Sequence, residues 1–363
     1  MTSATKNTSP ASAARPSGKS AFRLTEVDRA KGLAILLVVI GHLTSPGPAG
    51  SEWVGREWYG VLKGVIYHFH MPFFMFISGF LLFHSLKPID TAADYLRMVG
   101  RRAHRIIPGY AIYGLLAVIG KLLLSNYFQV DNAPGGFWRG VGDVLLRPAS
   151  SSATQLWYLY VLFLYSAILP IVLTRIGRCL VLLVPVALVA HFIPANGWFA
   201  SDLFLEYLLV LILGCVAAKY YEKIRRGIQA CPFWLLAALT GALVTVFAVS
   251  LLAADTAEEF VGGKTVKLVV GLLSIPALWS LTMTRASARW GVLETLGKYT
   301  LVIYLLHAPI VAAIRLPAVK LDCFTGTAFD ILIPVMVILG IAIPIYLKKE
   351  LFSRFRWLDQ ITG

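Results

Sequence analysis

Charged residues and cysteines are both scarce in this chain. Only 14% of its 363 residues are charged, whereas an ordinary soluble protein has about 25%. Its four cysteines are far apart and form neither a CxxC pair nor a cluster with histidine. The sequence therefore predicts neither a disulfide framework nor a zinc site, and any chemistry has to come from other side chains.

The short motifs of several enzyme classes are missing as well. The chain has no Walker A loop, no GxSxG, no HExxH and no paired Asp/Glu catalytic motif. Their absence argues against ATP-driven pumping and against metalloprotease chemistry. We expect no metal site.

What the chain has in excess is apolar sequence. Hydrophobic residues make up 58% of it, and its mean hydropathy is +0.73. One membrane span needs about 20 largely apolar residues. Ten such runs can be read, at 30–46, 64–86, 105–125, 155–174, 178–194, 203–219, 233–254, 265–284, 298–315 and 328–347. We therefore expect an all-α polytopic membrane bundle of about ten transmembrane helices.

The basic residues indicate how this bundle is oriented. Most of the 33 Lys and Arg residues lie in alternate connections, starting with the N-terminal segment. Because basic loops stay on the cytoplasmic side, we expect both termini to be cytoplasmic. This orientation accounts for most of the net charge of +14, so we expect no nucleic-acid partner.

The composition divides the chain into one large unit and two short ends. Residues 1–22 are rich in Ser, Ala and Thr and predict a disordered cytoplasmic tail. Residues 23–350 form the transmembrane domain, and residues 351–363 a short cytoplasmic C-terminal tail.

The first apolar run contains Lys31 and, eleven residues later, His42. At about 100° and 1.5 Å per residue, the two lie on one helix face about 16 Å apart. Lys31 would lie at the cytosolic rim and His42 about halfway through a hydrocarbon core of about 30 Å. An ionisable group at that depth indicates a functional cavity. The alternative is a neutral histidine held by a neighbouring helix, and position alone leaves both open.

The second run contains His68, His70 and Pro72. Proline frees the carbonyl of His68 and predicts a kink that can open a polar pocket. The alternative is a packing bend with an aromatic stripe, which does not account for His70.

An arginine cluster lies at the cytosolic start of the third run. Arg97, Arg101 and Arg105 share one helix face, and Arg102 pairs with Arg105 at a spacing of three residues. Arginine suits phosphate geometry, so the cluster predicts a polyphosphate site. The alternative is ordinary cytoplasmic charge facing anionic lipid headgroups.

Weaker signals lie in later runs. Glu206 is an acid within the bilayer boundary, where it needs a polar partner, and Tyr304 and His307 share a helix face. The alternative at both places is a structural polar contact between helices. Trp157 belongs to a group of outer tryptophans whose default role is the interfacial belt, with sugar stacking as the alternative.

Four patterns, in order, resemble the acyltransferase 3 family of polytopic membrane O-acyltransferases, especially its fucose 4-O-acetylase-like branch. They are D-x-x-(R/K)-G…H at Asp28 to His42, H-M-P-x-F…S-G from His70, R-x-x-R at Arg102 and Arg105, and LWYL from Leu156 with YLLH from Tyr304. The resemblance runs from about Asp28 to Tyr346. Lys31 departs from the usual arginine and offers a point charge rather than a fork.

The resemblance implies transfer of an acetyl group from acetyl-CoA to a sugar hydroxyl of a bacterial surface polysaccharide or exopolysaccharide. His42 would be the general base, or carry the acyl group, with Lys31 and His70 beside it in catalysis. The donor phosphates would be held by Arg29, Arg101, Arg102 and Arg105, and the acceptor by Glu206, Trp157, Tyr304 and His307.

Further expectations concern the surroundings of the protein. We expect no tightly bound cofactor, acetyl-CoA as the donor substrate, a lipid-linked or polymeric glycan acceptor, contact with polysaccharide assembly machinery, and the bacterial inner membrane as location. The competing interpretation is a glycolipid or small-anion transporter or flippase. It would favour two related halves and charges near the midplane.

Overall fold

The computed structural model describes residues 24–44, 56–231, 233–253, 260–284 and 286–363. The predicted tail 1–22 and the end of the first predicted span, 45–46, lie outside these ranges. All of the regular structure in the described part is helical, which confirms the all-α prediction.

The α-helices of the described part are the following, in chain order. They are α1 (Thr25–Gly41), α2 (Glu57–His84), α3 (Ala92–Leu124), α4 (Phe137–Leu146), α5 (Trp157–Ile176), α6 (Leu183–His191), α7 (Ser201–Lys219), α8 (Tyr221–Ala230), α9 (Phe233–Ala253), α10 (Phe260–Met283), α11 (Gly291–Lys298), α12 (Thr300–Lys320), α13 (Gly326–Glu350) and α14 (Arg356–Ile361).

Each predicted apolar run overlaps one α-helix of this set, although the first part of the run 178–194 is the 3-10 segment Gly177–Leu182 before α6. Residue 254, the end of the run 233–254, lies outside the described residues. Within the described residues, seven helices are long and apolar enough to cross a membrane, namely α2, α3, α5, α7, α10, α12 and α13. Helix α1 has 17 residues, and the apolar segment Cys179–His191 is also shorter. The chain is thus a polytopic membrane protein, while the count of ten and the cytoplasmic termini stay predictions.

Glycine allows the central helices to pack backbone to backbone. A Cβ at Gly79 of α2 would lie 2.0 Å from the Leu211 carbonyl oxygen of α7, and one at Gly214 would lie 2.0 Å from that of Phe76. Small residues permit this close approach of membrane helices. Helices α2 and α7 therefore form a tight pair at the centre of the bundle.

A second close contact joins α1 to α11. A Cβ at Gly32 would lie 1.9 Å from the Leu293 carbonyl oxygen, and one at Gly297 would lie 1.9 Å from that of Asp28. Helix α1 also packs against α2, α12 and α10. These contacts place its C-terminal end, with His42, among the other helices of the bundle.

The segment after α13 folds back onto the bundle. Lys348 Nζ donates to the Asp359 carbonyl at 2.7 Å and to Thr362 Oγ1 at 3.0 Å. The carbonyl oxygen of Ile361 lies 3.0 Å from where a Cβ of Gly109 on α3 would stand. The predicted C-terminal tail 351–363 is thus partly helical and packs against α3.

Candidate active site

Three histidines from different helices meet inside the bundle. The ring centroid of His42, at the end of α1, lies 5.5 Å from that of His307 on α12 and 6.2 Å from that of His70 on α2. His70 and His307 are buried, and His42 is partly exposed. The structure thereby brings together three of the predicted site residues.

The three imidazoles share one hydrogen-bonding pattern. Nδ1 of His42 lies 2.7 Å from the Val38 carbonyl, and Nδ1 of His70 lies 2.7 Å from that of Ile66. Nδ1 of His307 lies 2.8 Å from the Tyr304 carbonyl. Because a carbonyl only accepts, each neutral ring carries its proton on Nδ1. Each Nε2 therefore keeps its lone pair, the state that a base or acceptor requires.

Helix ends and helix turns position these rings. His42 follows the last residue of α1, and its backbone N–H still donates to the carbonyls of Val38 and Val39. Its ring is thus held by the last turn of the helix that carries it. Gly271 of α10 packs against Pro72, one turn beyond His68, so α10 lies against the proline-containing stretch of α2 beside the cavity.

The histidines line a cavity of about 300 Å³. Its other walls include Trp157, Glu206 and Tyr304, the remaining residues predicted to bind the acceptor. The cavity thus unites six of the predicted site residues. It is lined by the end of α1, the middle of α2, the start of α5 and the first halves of α7, α10 and α12.

Aromatic rings form and brace one wall of the cavity. Trp157 stacks on Tyr207 with ring centroids 5.3 Å apart and an angle of 23°. The Tyr158 hydroxyl lies 2.7 Å from Ser78 Oγ, which itself donates to the Phe74 carbonyl. Tyr304 packs against Tyr158, and its hydroxyl donates to the Gln155 carbonyl just before α5. These contacts tie α2, α5 and α12 together around the cavity.

Sequence reasoning missed several cavity residues. His191, at the end of α6, lines the cavity and donates from Nδ1 to the Glu206 carbonyl at 2.8 Å. Tyr67, Tyr207 and Lys267 also line it. His191 ends an apolar run, which is a usable signal for an intramembrane polar group. The tyrosines carry no such signal, because tyrosine is common throughout membrane interfaces.

Lys31 and Arg29 lie at the other end of α1. Lys31 Nζ pairs with Asp28 at 2.8 Å, and Arg29 Nε lies 3.9 Å from Glu294 Oε1 on α11. Arg29 is 4% exposed. The structure places Lys31 in an ion pair about 16 Å along α1 from His42, so it does not join the histidine cluster.

The arginines of α3 differ in their surroundings. Arg102 donates to Ser85 Oγ at 2.8 Å, while Arg101 and Arg105 are exposed. Helix α3 packs on α5, α4 and α14, whereas α1 packs mainly on α11 and α2. The arginines of α1 and α3 that the sequence predicts to bind the donor phosphates therefore lie on helices that pack mainly against different neighbours.

Metal binding has no candidate in the described part of the chain. No group of three or more His, Cys, Asp or Glu side chains there is arranged to hold an ion.

These features define a polytopic membrane protein with a histidine-lined cavity inside its helical bundle. The chain belongs to the acyltransferase 3 family, because the family model described as an acyltransferase domain matches residues 24–348. It is therefore a membrane acyltransferase. No curated protein and no solved structure matches the chain.

Proposed function

We propose that this acyltransferase moves an acetyl group from acetyl-CoA to a sugar hydroxyl of a bacterial surface polysaccharide or exopolysaccharide, in the inner membrane. The acceptor is a lipid-linked repeat unit or a growing chain. The observation that carries the proposal is the contact of His42 Nδ1 with the Val38 carbonyl, which leaves Nε2 of the neutral ring as an acceptor at an aromatic-lined cavity.

In the proposed reaction, His42 is the general base. Its Nε2 takes the proton of the sugar hydroxyl while the oxygen attacks the thioester carbonyl. Collapse of the tetrahedral intermediate breaks the carbon–sulfur bond and expels the CoA thiolate. The thiolate receives the proton from His42, so that an ester and a free thiol leave and the histidine is regenerated.

The stacked pair of Trp157 and Tyr207 supports a carbohydrate acceptor. The C–H face of a pyranose packs well on an aromatic ring, and the polar edge of each ring stays free for hydrogen bonds. Glu206 and Lys267 line the same cavity and supply polar partners at its edge.

The arginines at the opposite end of the bundle support an anionic, cytosolic donor. Arg101 and Arg105 are exposed, and guanidinium groups bind phosphate through paired hydrogen bonds. The pantetheine arm of CoA is long and thin, so the thioester can approach His42 while the nucleotide remains at the rim. In this proposal Arg29 on α1 and Arg102 on α3 also bind phosphate groups of the donor.

The test is acetyl transfer by the purified protein in nanodiscs. With acetyl-CoA and acceptor glycan, we expect free thiol and acetylated glycan in equal amounts. A transporter or flippase would move its cargo across liposomes without releasing thiol, so that result contradicts the proposal. Initial rates at varied concentrations of both substrates should give intersecting reciprocal plots, whereas parallel plots would indicate an acyl-histidine instead of direct transfer.

A genetic test addresses the biological acceptor. Mass spectrometry of the surface and secreted glycans from a deletion strain should show loss of one acetyl ester, restored by the intact gene but not by the His42→Ala variant. Glycans with unchanged acetylation would contradict the assignment.

A further inference from the structure

Two histidines that line the cavity each have a buried imidazole nitrogen without a hydrogen-bond partner among the described residues. His191 is 4% exposed and His307 0% exposed. Nε2 of each is buried and has no hydrogen-bond partner among the described residues. The two side chains come from α6 and α12 and both line the cavity that contains His42.

Both nitrogens are acceptors. Nδ1 of His191 donates to the Glu206 carbonyl, and Nδ1 of His307 donates to the Tyr304 carbonyl. The single N–H of each neutral ring is used in this hydrogen bond, so Nε2 can only accept a hydrogen bond. A buried acceptor without a donor is costly, so sites of this kind are built to receive one.

The ligand that suits these positions carries several neutral donors on one small frame. About 300 Å³ is at the lower limit of ordinary ligand sites, so the cavity has room for one sugar ring rather than an oligosaccharide. A pyranose carries hydroxyl groups around its whole edge. One of these can face His42 while others face different walls.

We infer that His191 and His307 are specificity residues that accept hydrogen bonds from two hydroxyl groups of the acceptor sugar, in addition to the hydroxyl that is acetylated. This inference rests on the proposed carbohydrate acceptor and deepens it. The acceptor residue therefore needs three free hydroxyl groups, one for His42 and two for binding.

Asparagine is the informative replacement at both positions. Its amide nitrogen stands close to the position of imidazole Nδ1 and keeps the bond to the backbone carbonyl. It has no atom at the position of Nε2. His191→Asn and His307→Asn therefore remove the proposed acceptor and retain the local structural bond. His84→Asn, at the exposed end of α2, is the matched control.

The experiment uses the full-length protein in nanodiscs with acetyl-CoA and a panel of octyl hexopyranosides and their monodeoxy derivatives. Acetylated product is measured by mass spectrometry. In the wild type, deletion of either bound hydroxyl should lower kcat/KM about tenfold to a hundredfold, because it leaves a buried acceptor unpaired. The control variant His84→Asn should show the same loss of kcat/KM with the deoxy derivatives as the wild type.

The decisive result is coupling between protein and ligand changes. His191→Asn should become insensitive to the loss of one hydroxyl, and His307→Asn to the loss of a different one. A merely structural histidine would lower activity on every glycoside equally, and that outcome overturns the inference while the proposed function stands. A wild type that releases thiol without acetylating any glycoside contradicts the carbohydrate acceptor itself, and the inference falls with it.

Discussion

His42 and His307 lie edge to face, with ring centroids 5.5 Å apart and an interplanar angle of 86°. The two residues are 265 positions apart in the sequence and lie towards opposite ends of the matched family region. Their rings meet because α1 packs directly against α12 as well as against α2 and α11. A hydroxyl that reaches Nε2 of His42 is thus also close to the ring of His307.

The first prediction concerns the base. In His42→Asn the amide nitrogen keeps the bond to the Val38 carbonyl, and the atom equivalent to Nε2 is lost. We expect kcat for glycan acetylation to fall about 10²- to 10⁴-fold, the usual contribution of general base catalysis. The yield and thermal unfolding temperature of the purified protein should match the wild type. A variant with the wild-type rate would remove His42 from the chemistry.

The second prediction concerns the donor. Arg105 is exposed on α3, and we expect Arg105→Ala to raise the apparent KM for acetyl-CoA about threefold to tenfold, because one guanidinium–phosphate contact is lost. The dependence of KM on ionic strength should also weaken, since screening acts on this attraction. Arg226→Ala, an exposed arginine of α8, is the control.

Initial rates over a range of acetyl-CoA and salt concentrations measure this effect. An unchanged KM in Arg105→Ala, with the same salt dependence as the wild type, would exclude Arg105 from the donor site. Equal effects of Arg105→Ala and Arg226→Ala would indicate a diffuse surface charge rather than a defined phosphate position.

Most long helices could be predicted from the sequence, because an apolar run of about 20 residues has few alternatives in a membrane. The short helices α4, α8, α11 and α14 could not. Each is stabilised by tertiary contacts, such as that of Gly297 in α11 with the backbone of Asp28 in α1. Such contacts join distant parts of the chain and leave no local pattern.

Some residues of the site could be predicted from the sequence and others could not. His42, His70 and His307 are polar residues inside apolar runs, which marks them individually, and the structure shows that they meet. His191 carries the same signal, whereas Tyr207 becomes a cavity residue only through the packing of α7 against α2 and α6. Lys31 shares a helix face with His42 but lies about 16 Å from it along α1, and its ionic partner is Asp28.

The third prediction tests the central helix pair. A Cβ at Gly79 would lie 2.0 Å from the Leu211 carbonyl oxygen, so α2 and α7 have to separate in Gly79→Ala. Overpacking of this kind costs about 1–3 kcal/mol, and we expect a lower unfolding temperature and a lower yield of monodisperse protein. Thermal unfolding in detergent, followed by size-exclusion chromatography, measures both.

Gly60 provides the control within the same helix. Nothing lies within 4 Å of a Cβ at Gly60, so Gly60→Ala should be neutral or slightly stabilising, because alanine is the better helix former. If Gly79→Ala is as stable as Gly60→Ala, the close contact between α2 and α7 is wrong.

The fourth prediction concerns the segment that folds back after α13. Lys348 is buried and its Nζ holds the Asp359 carboxylate at 2.9 Å, the Asp359 carbonyl and Thr362 Oγ1. In Lys348→Met all three bonds are lost and only the aliphatic packing remains. Bonds to a charged group contribute about 1.5–3 kcal/mol, so residues 352–363 should detach from α3 at least part of the time.

Limited proteolysis in detergent, read by intact-mass spectrometry, should then remove this segment faster than in the wild type. Lys349→Met, at the exposed neighbouring position, should be cleaved at the wild-type rate. Equal cleavage rates in both variants would mean that the three bonds to Lys348 do not hold the C-terminal segment in place.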